Sequence, residues 1–154
     1  MTLRARIALA GGDESLGELR DFLSSQCDRA HVTAEIAGDL QLAAEEVLVN
    51  IITHGYRGSA GNVNVRLDIV RGYLVIEFSD QAAPFDPLAM PEPELGQSID
   101  EAPIGGLGIP LIRRLSHEQH YSYSDGRNCL RLKWYLSETT HGPEPRDNSD
   151  ELEH

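Results

Sequence analysis

Glu46, Asn50 and His54 fall four residues apart in a stretch that is otherwise Val47, Leu48, Val49, Ile51 and Ile52. On a helix turning ~100° per residue, each step of four moves round by only ~40°, so the three polar groups form one narrow strip. A helix that is apolar on nearly every other side is buried, and a buried carboxylate and carboxamide need partners or a ligand. A second group, Ser79-Asp80-Gln81-Ala82-Ala83-Pro84-Phe85-Asp86-Pro87, directly follows an alternating apolar segment. A carboxylate at a strand's end is placed to accept a hydrogen bond from an exocyclic amine. A third group, Ile104-Gly105-Gly106-Leu107-Gly108-Ile109-Pro110, precedes Leu111-Ile112-Arg113-Arg114. Glycines just before a helix offer phosphate bare backbone N–H groups and a favourable dipole, and Pro110 suits a first helical turn. Taken singly, each has a plainer explanation: the polar face of an amphipathic helix, an Asp-initiated turn, a hinge.

The elements that must hold these groups follow from periodicity. Residues 3–9 read as a strand ending at Gly11-Gly12. Asp13 is then placed to cap a helix to about residue 30, with Leu16, Leu19, Phe22, Leu23 and Cys27 on one face. Thr33 opens a longer helix to about His54, carrying Leu40, Ala43, Val47, Leu48 and Ile51, with Gly55 as its breaker. Period two then takes over: Val63, Val65, Leu67 and Ile69, a turn at Arg71-Gly72, and a return through Leu74, Ile76 and Phe78. Five prolines interrupt residues 81–106, a long loop of the kind that usually serves as a lid. A helix over about 108–116 and strands over 120–124 and 128–136 complete the chain, the last with Leu130, Leu132, Trp134 and Leu136 on one face. One apolar face per strand and one stripe per helix predict an α+β fold. It is a two-layer α/β sandwich, with helices on one side of a mostly antiparallel sheet.

Composition bounds the function. The 154 residues suit one domain, here 1–136, followed by an acidic tail over 137–154 with six acids, one arginine and little apolar content. Leu152-Glu153-His154 resemble the remnant of a cloning site and purification tag. A net charge of −12 argues against direct nucleic-acid binding and against an anionic membrane surface. The single lysine, Lys133, follows no glycine loop, which excludes a P-loop. Neither a membrane span nor a convincing signal peptide is evident, and Cys27 and Cys129 lack CxxC spacing, so a reducing cytoplasm is expected.

Together the three groups resemble the GHKL ATP-binding superfamily, whose Bergerat fold is the sandwich predicted above. Within it the chain resembles the anti-sigma factor serine/threonine-protein kinases of bacterial partner-switching systems. Leu42-Ala43-Ala44-Glu45-Glu46-Val47-Leu48-Val49-Asn50 with Thr53-His54-Gly55-Tyr56 is similar to their N box. Pro84-Phe85-Asp86-Pro87 and Gly106-Leu107-Gly108-Ile109 are similar to their G1 and G2 regions, and 126–133 to their closing strand.

The resemblance implies Mg-ATP chemistry. Glu46 would be the general base for a substrate hydroxyl, and Asn50, with Glu46 beside it, would serve the Mg²⁺. His54 would support the phosphate side, and Asp80 would read adenine, flanked by Ala82, Phe85 and Asn128. Gly106, Leu107 and Gly108 would cradle phosphates, with 87–105 as the lid. The implied partners are a sigma factor and a STAS-type antagonist, the latter being the phosphorylation substrate, with a homodimer also suggested. The alternative is a weakly catalytic or non-catalytic protein-binding module on the same fold. One departure favours it: the family usually has glycine where Ala82 stands. At a positive φ an alanine there would be strained, and its methyl would crowd the base. His117 and His120 miss the H-E-x-x-H spacing and read as surface residues, and Tyr121, Tyr123, Trp134 and Tyr135 read as sheet packing.

Overall fold

The computed structural model describes residues 2–57, 61–89 and 108–137. Chain order is β1 (Leu3–Leu9), α1 (Ser15–Arg29), α2 (Ala34–Asn50), β2 (Val63–Val70), β3 (Tyr73–Asp80), α3 (Gly108–Leu115), β4 (Glu118–Ser124) and β5 (Arg127–Tyr135). The strands form one antiparallel sheet ordered β1-β2-β3-β5-β4. Helices cover one face only, which is why the alternation in the sequence is so clean. Inward side chains of the strands, among them Leu9, Val65, Leu67, Leu74, Ile76, Phe78, Leu132 and Trp134, meet Leu19, Leu23, Leu40, Leu48 and Ile112 of the helices in one core. Trp134 donates its indole N–H to the Leu115 carbonyl at 2.7 Å, so the largest core side chain also satisfies the end of α3.

Two helix ends differ from the sequence expectation. Asp13 does not cap α1. It lies one residue outside the cap position, which Glu14 holds without a side-chain bond. Ser15 acts in reverse, its Oγ accepting from the Gly11 N–H at 3.0 Å. Thr33 does cap α2, accepting from the Ile36 N–H at 3.4 Å. The expected helix to His54, however, changes winding at Asn50. Residues Ile51–Gly55 form a π turn, with the Tyr56 N–H bonded to the Ile51 carbonyl five residues back.

Among the described residues no helix is long and apolar enough to cross a membrane. The proposed lid beyond residue 89, Gly106, Leu107 and the acidic tail beyond residue 137 lie outside the described residues.

The bare face of the sheet holds much of the chain's positive charge. Arg6, Arg66, Glu77, Arg131 and His120 stand in one cross-strand row, and Lys133 and Arg4 flank it. Glu77 bridges Arg66 at 3.1 Å and Arg131 at 3.0 Å. These cations therefore stand on the opposite side of the sheet from the helices and from the cleft described next.

Candidate functional site

Three polar side chains are buried for the same reason. Each is the next member of an inward-facing stripe that has run past the end of the apolar core. On α2 the stripe Leu40, Ala43, Val47 continues to Asn50; on β3 Leu74, Ile76, Phe78 continues to Asp80; on β5 Trp134, Leu132, Leu130 continues back to Asn128. Asp80 and Asn128 are register partners across β3 and β5, so the sheet itself sets them side by side. All three are at most 6% exposed. They wall one apolar cleft together with Val47, Ile51, Gly55, Phe85, Pro87, Ile112, Tyr121 and Leu130.

Asp80 and Asn128 are tightly bonded. The Ala82 N–H donates to Asp80 Oδ1 at 2.9 Å, and Asn128 Nδ2 donates to the same oxygen at 3.0 Å. Asn128 Nδ2 also meets the carbonyls of Ala82 and Ala83, both at 3.1 Å, while its Oδ1 accepts from the Phe85 N–H at 3.1 Å and from the Tyr121 hydroxyl. Among the described residues every hydrogen bond to the Asp80 carboxylate ends on Oδ1, leaving Oδ2 to the cleft. Burial pushes the Tyr121 phenol up, so it remains a proton donor at neutral pH.

Asn50 is the opposite case. Its Nδ2 is buried and bonded to nothing, although an unpaired buried amide group costs about 1–3 kcal/mol. An NH₂ group in that position calls for an acceptor, such as a phosphate oxygen of a nucleotide; for a hard cation Asn50 has only its Oδ1 to offer. No cluster of three His, Cys, Asp or Glu suited to a metal occurs among the described residues. A Mg²⁺ brought in by a nucleotide could draw on Asn50 Oδ1 together with phosphate oxygens.

Glu46 and His54 do not line the cleft but are next in the chain to Val47 and Gly55, which do. Glu46 lies one turn before Asn50, half-buried, with no hydrogen bond or ion pair among the described residues. Its neighbour Glu45 is engaged by Arg20 of α1. His54 is exposed because the π turn carries it off the predicted strip, and its ring stacks on Phe85 at 6.2 Å between centroids, tilted 27°. Gly108 is the first residue of α3, four residues before Ile112, which walls the cleft.

At Ala82 the condition for strain is not met. Its φ is not positive; among described non-glycine residues only His31, Arg57 and Asp125 have that conformation. The alanine is therefore unstrained. Nor does it wall the cleft: its methyl packs against Gly55, where an added Cβ would come within 3.2 Å of it. Gly55 itself has an ordinary φ, so it is glycine for closeness rather than as a left-handed breaker. Gly55→Ala is expected to destabilise the protein by about 1–2 kcal/mol through overpacking. Adding Ala82→Gly should recover most of that, and thermal unfolding of the two variants measures both effects.

Sequence reasoning assigned Tyr121 to sheet packing and missed it as a wall of the cleft. A signal was available. Asp125-Gly126 is a two-residue hairpin turn with φ of 53° and 75°, the type I′ pattern, which pairs Ser124 with Arg127 and therefore Tyr121 with Leu130 on the inward face. Tyr56 was quoted only for its N-box likeness. Its hydroxyl donates to the Asn62 carbonyl at 2.7 Å and accepts from the Gln81 N–H at 2.9 Å, fastening the end of the π turn to the residue after Asp80.

This arrangement has relatives. Residues 10–134 match the family model of the histidine kinase-like ATPase domain. The serine/threonine-protein kinase BtrW of Bordetella bronchiseptica is 33% identical over 101 residues, 65% of this chain and 71% of that protein. The serine-protein kinase RsbW of Listeria innocua is 30% identical over 129 residues, 80% of each chain. A solved structure of the RsbU and RsbW domains of a Mycobacterium tuberculosis protein superposes with a TM-score of 0.61 at 17% identity. The likeness covers 86% of this chain and 32% of that longer one, and it establishes the shared α+β sandwich. The chain belongs to the histidine kinase-like ATPase family, alongside serine-protein kinases of the RsbW and BtrW kind.

Proposed function

We propose that this chain is an ATP-dependent protein serine/threonine kinase that is also an anti-sigma factor, phosphorylating a STAS-type antagonist in a reducing cytoplasm. The observation that carries the reading is the pairing, in one cleft, of an unpartnered buried carboxamide on Asn50 with a carboxylate on Asp80 that is bonded on one oxygen only. Asp80 Oδ2 accepts the exocyclic amine of adenine. Phe85 and Tyr121 border the base, and the free space between the side chains of the cleft, about 30 Å³, means that a purine must part them to enter. Asn50 would hold Mg²⁺ through its Oδ1, and its unpaired Nδ2 would donate to a phosphate oxygen; the ion would neutralise phosphate charge. Backbone N–H groups at the start of α3 would take the phosphate oxygens, since the N-terminal end of a helix favours an anion. Glu46, with no partner of its own among the described residues, would take the proton from the substrate serine or threonine as that oxygen bonds to the γ-phosphorus of ATP and the bond to the departing ADP oxygen breaks. Such a transfer asks mainly for positioning and charge neutralisation, so it needs no P-loop lysine.

The narrowness of the cleft favours the second reading, a module that holds a sigma factor with little catalysis. Calorimetry with Mg·ATP separates the two. The kinase reading expects saturable binding, weakened roughly 10- to 100-fold by Asn50→Ala, together with phosphate transfer to a co-encoded STAS-type protein. No detectable heat at millimolar nucleotide would sink it and leave the binding module.

A further inference from the structure

We infer that Asn128 and Tyr121 are positioning residues that set the base specificity of the cleft by holding Asp80 in one orientation; this rests on the nucleotide-binding reading above. Although Asn128 borders the cleft, its amide has nothing left to offer a ligand. Two N–H bonds face three acceptors: Asp80 Oδ1 at 3.0 Å and the carbonyls of Ala82 and Ala83 at 3.1 Å. Its oxygen accepts from the Phe85 N–H at 3.1 Å and from the Tyr121 hydroxyl, which uses both lone pairs.

These five partners leave the amide no freedom. Turned over, it would set its oxygen against three acceptors. The Tyr121 hydroxyl could turn to accept, but the backbone N–H of Phe85 can only donate and would face an NH₂ group. Asn128 Oδ1 is thus held as the acceptor and Nδ2 as the donor toward Asp80.

The consequence falls on Asp80. With Oδ1 bound by Asn128 and by the Ala82 N–H at 2.9 Å, the carboxylate plane is fixed and Oδ2 is the one oxygen left to face a base. An acceptor fixed there favours a 6-amino purine over a 6-oxo purine, because the latter would set oxygen against oxygen. The same amide ties the 82–85 turn to β5 and so holds Phe85 at the mouth of the cleft. Tyr121 reaches none of this directly. It acts through Asn128 Oδ1.

Asn128→Asp and Tyr121→Phe keep the shape of the site, and each has a separate signature. In Asn128→Asp the new side chain has no N–H to give Asp80, and two carboxylates face each other. Near pH 5 one shared proton restores a single donor; by pH 8 the pair repels. Mg·ATP affinity of this variant, relative to wild type at each pH, should therefore fall at least roughly tenfold between pH 5 and 8. Asp86, Tyr121 and Tyr123 are the ionisable groups that stand near the pair, and none of them is changed in this variant. Tyr121→Phe should weaken Mg·ATP about three- to tenfold and narrow its preference over Mg·ITP, with no pH trend. A nucleotide-free readout accompanies these: amide hydrogen exchange at Phe85 should accelerate in Asn128→Asp and, less, in Tyr121→Phe. If wild type binds Mg·ATP and both variants match it in affinity, selectivity and Phe85 exchange, the positioning role is overturned while the nucleotide reading stands. Accelerated Phe85 exchange with wild-type affinity and selectivity would reduce the pair to a turn fastener and equally overturn it. Absence of nucleotide binding by wild type overturns the parent reading, and this inference with it.

Discussion

Glu46→Gln is expected to lower phosphate transfer to a STAS-type substrate by roughly 10²- to 10⁴-fold, the range a general base contributes. The change keeps the shape and hydrogen-bonding reach of the side chain and removes only its ability to take a proton. Mg·ATP affinity should stay within about threefold of wild type, because Asp80 and Asn50, not Glu46, wall the cleft. The neighbouring carboxylate is the internal control. Glu45 is engaged by Arg20 across α1 and α2, so Glu45→Gln should leave transfer nearly unchanged. As an exposed ion pair it should cost no more than about 1 kcal/mol of stability. Single-turnover transfer and calorimetry on the two variants decide the matter. If Glu45→Gln abolishes transfer and Glu46→Gln does not, the base has been assigned to the wrong carboxylate. If both lose ATP binding in parallel, neither is acting as a base.

Much of this was legible in the sequence, and the exceptions have physical causes. Strand faces could be read because the sheet is covered on one side only, so Val63 to Ile69 and Leu74 to Phe78 alternate without interruption. Asp80 and Asn128 could be singled out in the sequence, but not as partners. Their contact is a matter of register between β3 and β5, which are separated by α3 and β4, and no turn signal spans that distance. The strip of Glu46, Asn50 and His54 was drawn on an ideal helix. The π turn after Asn50 breaks that geometry, and such widened turns gather at functional sites without a residue signature of their own. Gly55 and Ala82 illustrate a second blind spot. Each looked meaningful for backbone conformation, whereas what joins them is contact: one methyl filling the space the other residue leaves. Charge was misleading only as a total. The acidic sum of the chain hides the row of Arg6, Arg66 and Arg131 on the bare face of the sheet, visible only once register is known.

Asp80→Asn should invert the base preference of the cleft rather than simply abolish binding. The native carboxylate accepts at both oxygens, with Oδ1 bound to the Ala82 N–H at 2.9 Å and to Asn128 Nδ2 at 3.0 Å. An asparagine at this position must choose which atom meets those two donors. Its nitrogen cannot, because that would set N–H against N–H twice inside a buried site. Its oxygen therefore takes the place of Oδ1, and its NH₂ group occupies the place of Oδ2, toward the cleft. An acceptor for a base becomes a donor. Adenine presents its own amine there and is repelled, while a 6-oxo purine now finds a partner. Mg·ATP affinity should fall on the order of 10²-fold, the loss of a bond to a charged acceptor plus an unpaired donor. Mg·ITP affinity should rise relative to wild type. Thermal stability should change little, since both bonds to Oδ1 survive. Competitive calorimetry with the two nucleotides provides the check. Equal loss of both would mean that Asp80 holds the turn and not the base, and unchanged affinity for both would remove Asp80 from the site.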